Sequence, residues 1–240
     1  MMRTALVTGG TTGIGAAICA ALQAAGIRVA ATYSGHEARA TDFSKATGIP
    51  TFRWDVSDHA ACAAGVAQVE AAVGPVDILI NNAGITRDSS LLKMSEEAWK
   101  RVLAVDLDSC FNMAQSVVGG MKARRWGRIV NIASINGQTG QFGQTNYAAA
   151  KAGMLGFTKA LALEVARDGV TVNAVAPGYT DTEMVAAVAP EIMKAIVGRI
   201  PVGRLARPEE IARCVAFLVA EEAGFITGST LSVNGGQAMI

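Results

Sequence analysis

Short β-branched runs alternate with longer helical patterns along this chain, and this alternation restricts the possible folds more than any other feature. The short runs predict strands over residues 5–7, 28–32, 51–54, 76–80, 128–132, 170–175 and 230–233. The longer patterns predict helices over residues 14–25, 60–73, 96–121, 146–167 and 208–218. Strands separated by helices of this length need right-handed crossovers, which give a parallel sheet with helices on both faces. We therefore expect an α/β fold, a doubly wound parallel sheet that binds ligands at the carboxyl ends of its strands.

Length and composition are compatible with one domain. At 240 residues the chain is long enough to bury a large core, and we predict a single domain over residues 1–240. The formal net charge of +1 and the absence of a long uninterrupted apolar run favour neither nucleic acid nor a membrane as a partner. The first residues lack a signal-peptide pattern and the four cysteines lack metal-ligand spacing. We expect a cytoplasmic protein with free thiols and no bound metal.

A glycine-rich turn follows the first predicted strand and opens the first helix. Gly9, Gly13 and Gly15 have the spacing G-x-x-x-G-x-G. Residues without side chains let the backbone approach a pyrophosphate, and a helix N-terminus favours its negative charge. Because glycine turns also serve close packing alone, this turn indicates a dinucleotide site only in combination with other motifs.

Tyr147 and Lys151 lie four residues apart on one predicted helix, and Ser134 lies thirteen residues upstream of the tyrosine. The i, i+4 spacing places the phenol and the ammonium on one helix face, where the positive charge favours ionisation of the phenol. Such a tyrosine can donate a proton to a carbonyl that is being reduced. A tyrosine and a lysine meet at this spacing on many helices, so that the pair gains its meaning from the accompanying motifs.

Two further motifs complete the pattern. The sequence Asn-Asn-Ala-Gly at residues 81–84 follows one predicted strand, and Pro177-Gly178 follows another. The four motifs, in this order and over the whole chain, resemble those of the short-chain dehydrogenase/reductase family. The resemblance implies a Rossmann fold and an oxidoreductase that transfers hydride between a nicotinamide cofactor and a carbonyl group. It also implies that Ser134 orients the carbonyl, that Tyr147 donates the proton, and that Lys151 holds the nicotinamide ribose and acidifies Tyr147.

The resemblance further implies a set of cofactor-binding residues from the glycine-rich turn, the strand ends and the catalytic pair. They are Gly9, Thr11, Thr12, Gly13, Ile14, Gly15, Ser34, Arg39, Asp55, Val56, Asn82, Ala83, Gly84, Ile85, Thr86, Tyr147, Lys151, Pro177, Gly178, Tyr179 and Thr180. NADPH is expected because no acidic residue ends the second strand, while Ser34 and Arg39 can hold a 2′-phosphate. The alternative is that Arg39 is a solvated helix residue. Thr12 also stands where many NADPH-using relatives carry a basic residue.

The substrate is indicated by the glutamine-rich segment between Ser134 and Tyr147. With residues 81–88 and 228–236, this segment resembles the acetoacetyl-CoA reductases of polyhydroxyalkanoate synthesis. That resemblance implies reduction of acetoacetyl-CoA, an acyl-CoA thioester, to (R)-3-hydroxybutyryl-CoA for polyhydroxybutyrate. The implied pocket residues combine amides for the thioester and pantetheine with apolar ring walls, and they are Asp88, Gln141, Phe142, Gln144 and Tyr179. A polar, solvated turn is the alternative interpretation of this segment.

Three other regions leave alternatives open. The segment 179–201, interrupted by Pro190 and Gly198, is either a mobile substrate lid or a surface connection. The small residues after Tyr147 permit close helix packing, and the family implies a homotetramer. A basic cluster is either a solvated helix end or an attraction for coenzyme A phosphates or an acidic carrier protein; it comprises Lys122, Arg124, Arg125 and Arg128.

Asp106 departs from the family pattern. Relatives carry asparagine in the corresponding Asn-Leu motif, where it helps to anchor a water that leads from the lysine to solvent. Aspartate lacks the amide donor and adds a charge. The relay tolerates the change if it uses the backbone carbonyl, and is disabled otherwise. Besides the acetoacetyl-CoA reductase, two functions remain as alternatives: a 3-oxoacyl carrier-protein reductase of fatty-acid synthesis and, more remotely, a catalytically silent nucleotide-binding regulator.

Overall fold

Seven parallel strands form one sheet within residues 2–186 and 190–240, which a computed structural model describes. The strands are β1 Thr4–Val7, β2 Arg28–Tyr33, β3 Thr51–Arg53, β4 Ile78–Asn81, β5 Gly127–Ile132, β6 Val170–Pro177 and β7 Thr230–Val233. Their order across the sheet is β3-β2-β1-β4-β5-β6-β7. The predicted doubly wound α/β fold is confirmed.

The connections between the strands are mostly helical. The helices are α1 Gly13–Ala24, α2 Glu37–Thr47, α3 His59–Val73, α4 Glu96–Leu103, α5 Ser109–Ala123, α6 Ile135–Thr139, α7 Thr145–Val165, α8 Glu183–Ala186, α9 Pro190–Val197 and α10 Pro208–Val219. None of the described helices combines the length and the apolar character needed to cross a membrane.

The helices differ from the sequence prediction in several places, and the short helices α6, α8 and α9 all lie outside the predicted helices. The single helix predicted over residues 96–121 is divided by a π-helical segment, Ala104–Asp108. Helix α2 was not predicted because only Ala40 of its residues is buried, so that it has no apolar stripe to detect. Only the end of α2 could be recognised from the sequence, because Gly48 adopts the left-handed conformation that glycine permits at a helix C-terminus.

Apolar side chains cover both faces of the sheet because successive strand residues point to opposite sides. In β1, Ala5 and Val7 pack with α1 and α10, whereas Leu6 packs on the opposite face with α3, α5 and α7. Complete burial of a side chain such as Leu6 stabilises a fold by about 1.5–3 kcal/mol. With both faces covered, a ligand can reach the sheet only at the strand ends, and the strand order reverses between β1 and β4.

The predicted lid segment, 179–201, contains α8 and α9, and its residues 187–189 lie outside the described residues. Its beginning is fixed to the chain before α10. The Asp181 N–H donates to the Ala206 carbonyl at 2.8 Å, and the Ala206 N–H donates to the Tyr179 carbonyl at 2.9 Å. The first part of the segment is therefore anchored next to the end of β6.

Candidate active site

A cleft of about 420 Å³ lies at the carboxyl ends of the strands. Residues that follow six of the strands line it, with one representative each in Gly9, Ser34, Asp55, Asn82, Ser134 and Gly178. The cleft therefore occupies the position expected for a ligand site in a doubly wound sheet.

Most of the predicted site residues line this one cleft. They are Gly9, Thr12, Gly13, Ile14, Gly15, Ser34, Asp55, Val56, Asn82, Ala83, Gly84, Ile85, Thr86, Ser134, Gln144, Tyr147, Lys151, Pro177, Gly178, Tyr179 and Thr180. Five other predicted residues do not line it, namely Thr11, Arg39, Asp88, Gln141 and Phe142. Most motif residues therefore lie around one cleft. Arg39, predicted to bind the 2′-phosphate, and several residues predicted to bind the substrate lie outside its lining.

The glycine-rich turn has the backbone that its sequence predicts. Gly9 and Gly13 adopt positive φ angles of 60° and 52°, which side-chain-bearing residues rarely adopt. A Cβ atom at Gly15 would lie 2.2 Å from the Gly9 carbonyl oxygen, so that only glycine permits this close approach. Thr12 precedes α1 without capping it through its side chain. The first N–H groups of α1 can therefore serve a phosphate, which fits a dinucleotide cofactor.

Asn82 fixes the loop after β4 to this turn. Its Nδ2 donates to the carbonyls of Thr8 at 2.9 Å and Gly9 at 3.1 Å. In return, the Thr8 hydroxyl oxygen accepts the N–H groups of Asn82 and Ala83, both at 3.0 Å. These bonds position the two loops as one unit.

The end of β2 lacks a carboxylate, and Tyr33 and Ser34 line the cleft there. Arg39, on α2, pairs with Glu183 of α8 at 2.5 Å, and Glu183 also lines the cleft. Both side chains of this ion pair are more than half exposed, and such pairs contribute about 0–1 kcal/mol. A 2′-phosphate near Ser34 would compete with Glu183 for the Arg39 guanidinium at small cost.

Asp55 follows β3 and is held by two partners. Its Oδ1 accepts the N–H of Ser57 at 2.9 Å and the hydroxyl of Ser57 at 2.7 Å, and its Oδ2 lies 2.8 Å from the Arg101 guanidinium. Burial acts against the charge, but the bonds from Ser57 and Arg101 outweigh it and lower the pKa of Asp55 below its ordinary value. The carboxylate is therefore ionised and fixed in direction.

The hydroxyl of Ser134 is held by one hydrogen bond that it accepts from the backbone. It precedes α6, and its Oγ accepts the N–H of Asn136 at 3.1 Å. A hydroxyl that accepts one bond still has its own proton to donate. The side chain is 8% exposed and lines the cleft, so that this proton can reach a carbonyl oxygen bound there.

Tyr147 lies in the first turn of α7, half-buried and lining the cleft. Its backbone N–H donates to Asn146 Oδ1 at 2.8 Å, and Asn146 Nδ2 donates to the Arg87 carbonyl at 3.1 Å. Lys151 Nζ lies 5.5 Å from the centre of the Tyr147 ring, as the i, i+4 spacing predicts. The ammonium therefore adjoins the phenol on one helix face.

Lys151 is held by a second group that the family pattern does not supply. Its Nζ donates to the Ile132 carbonyl at 2.9 Å and lies 3.3 Å from Asp106 Oδ2. Burial works against the charge, but the attraction of Asp106, with smaller contributions from Tyr147 and Cys110, outweighs it and raises the pKa of Lys151 above its ordinary value. Burial raises the pKa of Asp106, and Lys151 and the Ile85 N–H partly offset this effect.

The polar residues at the other end of the cleft form a chain of hydrogen bonds. Gln144 Oε1 accepts from Asn136 Nδ2 at 2.8 Å, and Gln144 Nε2 donates to Asp88 Oδ2 at 2.8 Å. Phe142 is 90% exposed, so that the predicted apolar wall has only Tyr179 in the cleft lining. Burial, and to a lesser extent Asp88, raises the pKa of Tyr179, which keeps its hydroxyl protonated.

Sequence reasoning missed several polar residues of the cleft, among them Arg101, Asn136 and Glu183. Arg101 lies on the predicted helix after β4, and nothing in the local pattern distinguishes it from a solvated residue. Asn136 had a signal, since a serine two residues before it at a strand end is a typical helix N-cap. Glu183 lies in the lid segment, where the weak helical pattern gave no side-chain direction.

Comparison with known proteins gives consistent results. A short-chain dehydrogenase model described as enoyl-(acyl carrier protein) reductase matches residues 9–238. An acetoacetyl-CoA reductase from Rhizobium meliloti is 60% identical over 99% of both chains, and one from Paracoccus denitrificans is 57% identical over 100% of both. A 3-oxoacyl-(acyl-carrier-protein) reductase from Escherichia coli is 45% identical over 99% of this chain and 98% of its own.

Proposed function

The chain belongs to the short-chain dehydrogenase/reductase family, and from this premise we propose that it is an NADPH-dependent acetoacetyl-CoA reductase, one domain over residues 1–240. The product is (R)-3-hydroxybutyryl-CoA, a precursor for polyhydroxybutyrate synthesis in the cytoplasm. The observation that carries the proposal is the convergence of Ser134, Tyr147 and Lys151 in the cleft that also contains the glycine-rich turn. The relatives named acetoacetyl-CoA reductase, similar over their whole length, support the substrate.

Each residue of the site has a defined part in the proposed reduction. The nicotinamide cofactor supplies a hydride when it is bound. Ser134 donates a hydrogen bond to the carbonyl oxygen and so orients the substrate, while Tyr147 transfers its proton to that oxygen as negative charge develops. Lys151 keeps a positive charge beside Tyr147 and binds the ribose. The N-terminus of α1, which no side chain caps, would bind the cofactor phosphates. The loop that carries Asn82 would hold the rest of the nucleotide.

NADPH selectivity rests in this proposal on Ser34 and Arg39. We expect Arg39→Ala to raise the KM for NADPH by about 10- to 100-fold, because a charge-assisted hydrogen bond contributes about 1.5–3 kcal/mol, and to leave the KM for NADH unchanged. Arg53→Ala is the matched control, since Arg53 is an exposed arginine on the neighbouring strand that does not line the cleft. An equal effect on both cofactors would refute the assignment of Arg39.

A carrier-protein thioester is the second candidate substrate, favoured by the Escherichia coli relative. The two are separated by following NADPH oxidation at 340 nm with acetoacetyl-CoA and with the acetoacetyl thioester of acyl carrier protein. The proposal predicts a higher kcat/KM for the CoA ester. Preference for the carrier protein would assign the enzyme to fatty-acid synthesis, and tight NADPH binding without turnover of any ketone would favour a silent regulator.

We also propose a homotetramer. Helix α7 contains small residues such as Gly156, at which an added Cβ would meet nothing within 4 Å, and Leu163 on the same helix is 84% exposed. An interface between subunits would cover this apolar side chain, and the small residues would let a partner helix approach closely. Light scattering coupled to size-exclusion chromatography should give four times the chain mass of 24.7 kDa, and a monomer mass would refute this assembly.

A further inference from the structure

The buried ion pair of Asp106 and Lys151 is the feature of this chain that the proposed mechanism leaves unexplained. The two side chains are 0% and 4% exposed, and their charged atoms lie 3.3 Å apart. Such burial costs free energy unless each charge has a partner. The surrounding elements must therefore hold the two charged groups close to each other.

Two elements fix the Asp106 carboxylate, namely the π-helical segment that carries it and the loop after β4. The π-helical segment Ala104–Asp108 brings Asp106 toward the cleft, and Asp106 Oδ1 accepts the Ile85 N–H at 2.8 Å. Gly84 leaves the room for Oδ2, because a Cβ there would lie 2.7 Å from Oδ2 and 3.4 Å from Lys151 Nζ. Within the described residues Oδ2 has no hydrogen-bond partner, so that its contact is the ion pair itself.

The groups that face this pair carry little competing charge. Tyr147 lies on the same face of α7 as Lys151, and the Ile132 carbonyl approaches from β5. Cys110 approaches from α5 with its thiol neutral, because burial raises its pKa to about 12. Asp108, in the same π segment, is exposed. Among residues 2–186 and 190–240, Lys151 Nζ contacts the Ile132 carbonyl and the Asp106 carboxylate, which leaves a third N–H for the cleft that Lys151 lines.

We propose that Asp106 is a positioning residue that holds the Lys151 ammonium, protonated and fixed in direction, beside Tyr147. The proposal rests on the proposed reductase function. An asparagine at 106 would keep the acceptor for Ile85 and lose the charge that faces Lys151.

The test compares the parent with Asp106→Asn in two measurements. The alkaline limb of the kcat profile for acetoacetyl-CoA reduction should move to lower pH by about one unit or more in the variant, since a near opposite charge shifts a titration by 1–3 units. The titration of Lys151, followed by NMR of ¹³Cε-labelled lysine and assigned with Lys151→Met, should move in the same direction. Asp108→Asn, an exposed aspartate of the same segment, is the matched control and should change neither.

The two measurements separate failure of this proposal from failure of the proposed function. If the parent reduces no thioester, the reductase proposal fails, while the lysine titration still judges Asp106. Unchanged profiles and an unchanged titration in a folded Asp106→Asn protein would overturn the role of Asp106. If Asp106→Asn does not fold, the titration of Lys151 in the parent tests the role of Asp106 instead. A Lys151 midpoint below the ordinary lysine value of about 10.4 would overturn that role as well.

Discussion

The surroundings of Ser134 and Tyr147 differ, and they suit the separate tasks that we propose for the two residues. Ser134 accepts a bond from the Asn136 N–H, which orients its hydroxyl and leaves the proton to donate. Tyr147 lies beside a buried ammonium that can compensate the phenolate as the proton leaves. A change at either residue should therefore affect the chemical step more than the binding of the cofactor.

Tyr147→Phe tests this division. Removal of a general acid costs about 10²–10⁴-fold in rate, so that kcat for acetoacetyl-CoA reduction should fall by that factor. Fluorescence titration should give an NADPH dissociation constant within about twofold of the parent value, because the ring remains and only the hydroxyl is lost. A variant that keeps most of its kcat would show that another group supplies the proton.

The sequence predicted the positions of residues whose backbone is fixed by a motif. It did not predict the positions of side chains that contact residues far away in the sequence. The glycines of the turn and the Ser134, Tyr147, Lys151 set line the cleft as expected. Arg39 instead pairs with Glu183, 144 residues away in the sequence. No local pattern contains such a contact, and long exposed side chains have many alternative conformations.

The π-helical segment Ala104–Asp108 and the loop after β4 together support the Lys151 side chain. The loop contributes the Ile85 N–H to Asp106 and the open space at Gly84. The same loop is bound to the glycine-rich turn through Asn82. The cofactor loop and the lysine support are therefore mechanically connected.

Gly84→Ala should disturb this support. The added Cβ would approach Asp106 Oδ2 to 2.7 Å, and overpacking of this kind costs about 1–3 kcal/mol. We expect a lower free energy of unfolding in urea and a lower kcat. Gly119→Ala is the control, because an added Cβ in that part of α5 meets nothing within 4 Å and should stabilise the helix slightly. Equal stability of the two variants would contradict this account of Gly84.

The strands and most long helices followed from apolar periodicity, whereas α2, the short helices α6, α8 and α9, and the π-helical segment did not. Helix α2 buries only Ala40, and its sequence therefore lacks the period on which the prediction rests. The π-helical segment interrupts a helix whose pattern continues through it, because one extra residue per turn changes the direction of side chains without breaking the helix. The position of Asp106 could thus be suspected from the family pattern, but its contact with Lys151 could not.

At the scale of the whole molecule, polar contacts at the strand ends join elements that the apolar core does not. The Asp55 carboxylate after β3 joins that strand to α4 through Arg101. Because the folded state lowers the pKa of Asp55, the unfolded chain binds its proton more readily. This contribution to stability is present above the unfolded pKa of about 3.9 and is lost as the pH falls through the lower folded value.

Asp55→Asn should show this dependence. Urea unfolding without cofactor should give a lower free energy of unfolding than the parent at pH 7, by less than about 1 kcal/mol because the pair is partly exposed, and the difference should shrink toward pH 3. The control is Asp42→Asn, an exposed aspartate without an ion pair among the described residues. A difference that grows as the pH falls would contradict the sign of the Asp55 effect.

Isotope transfer shows whether the enzyme moves hydride from NADPH to the 3-keto group of acetoacetyl-CoA. The enzyme is incubated with acetoacetyl-CoA and NADPH carrying deuterium at both C4 positions, and the product is analysed by mass spectrometry and chiral chromatography. The account predicts (R)-3-hydroxybutyryl-CoA with one deuterium at C3. Cofactor consumption without deuterium in this product, or no product at all, would contradict it.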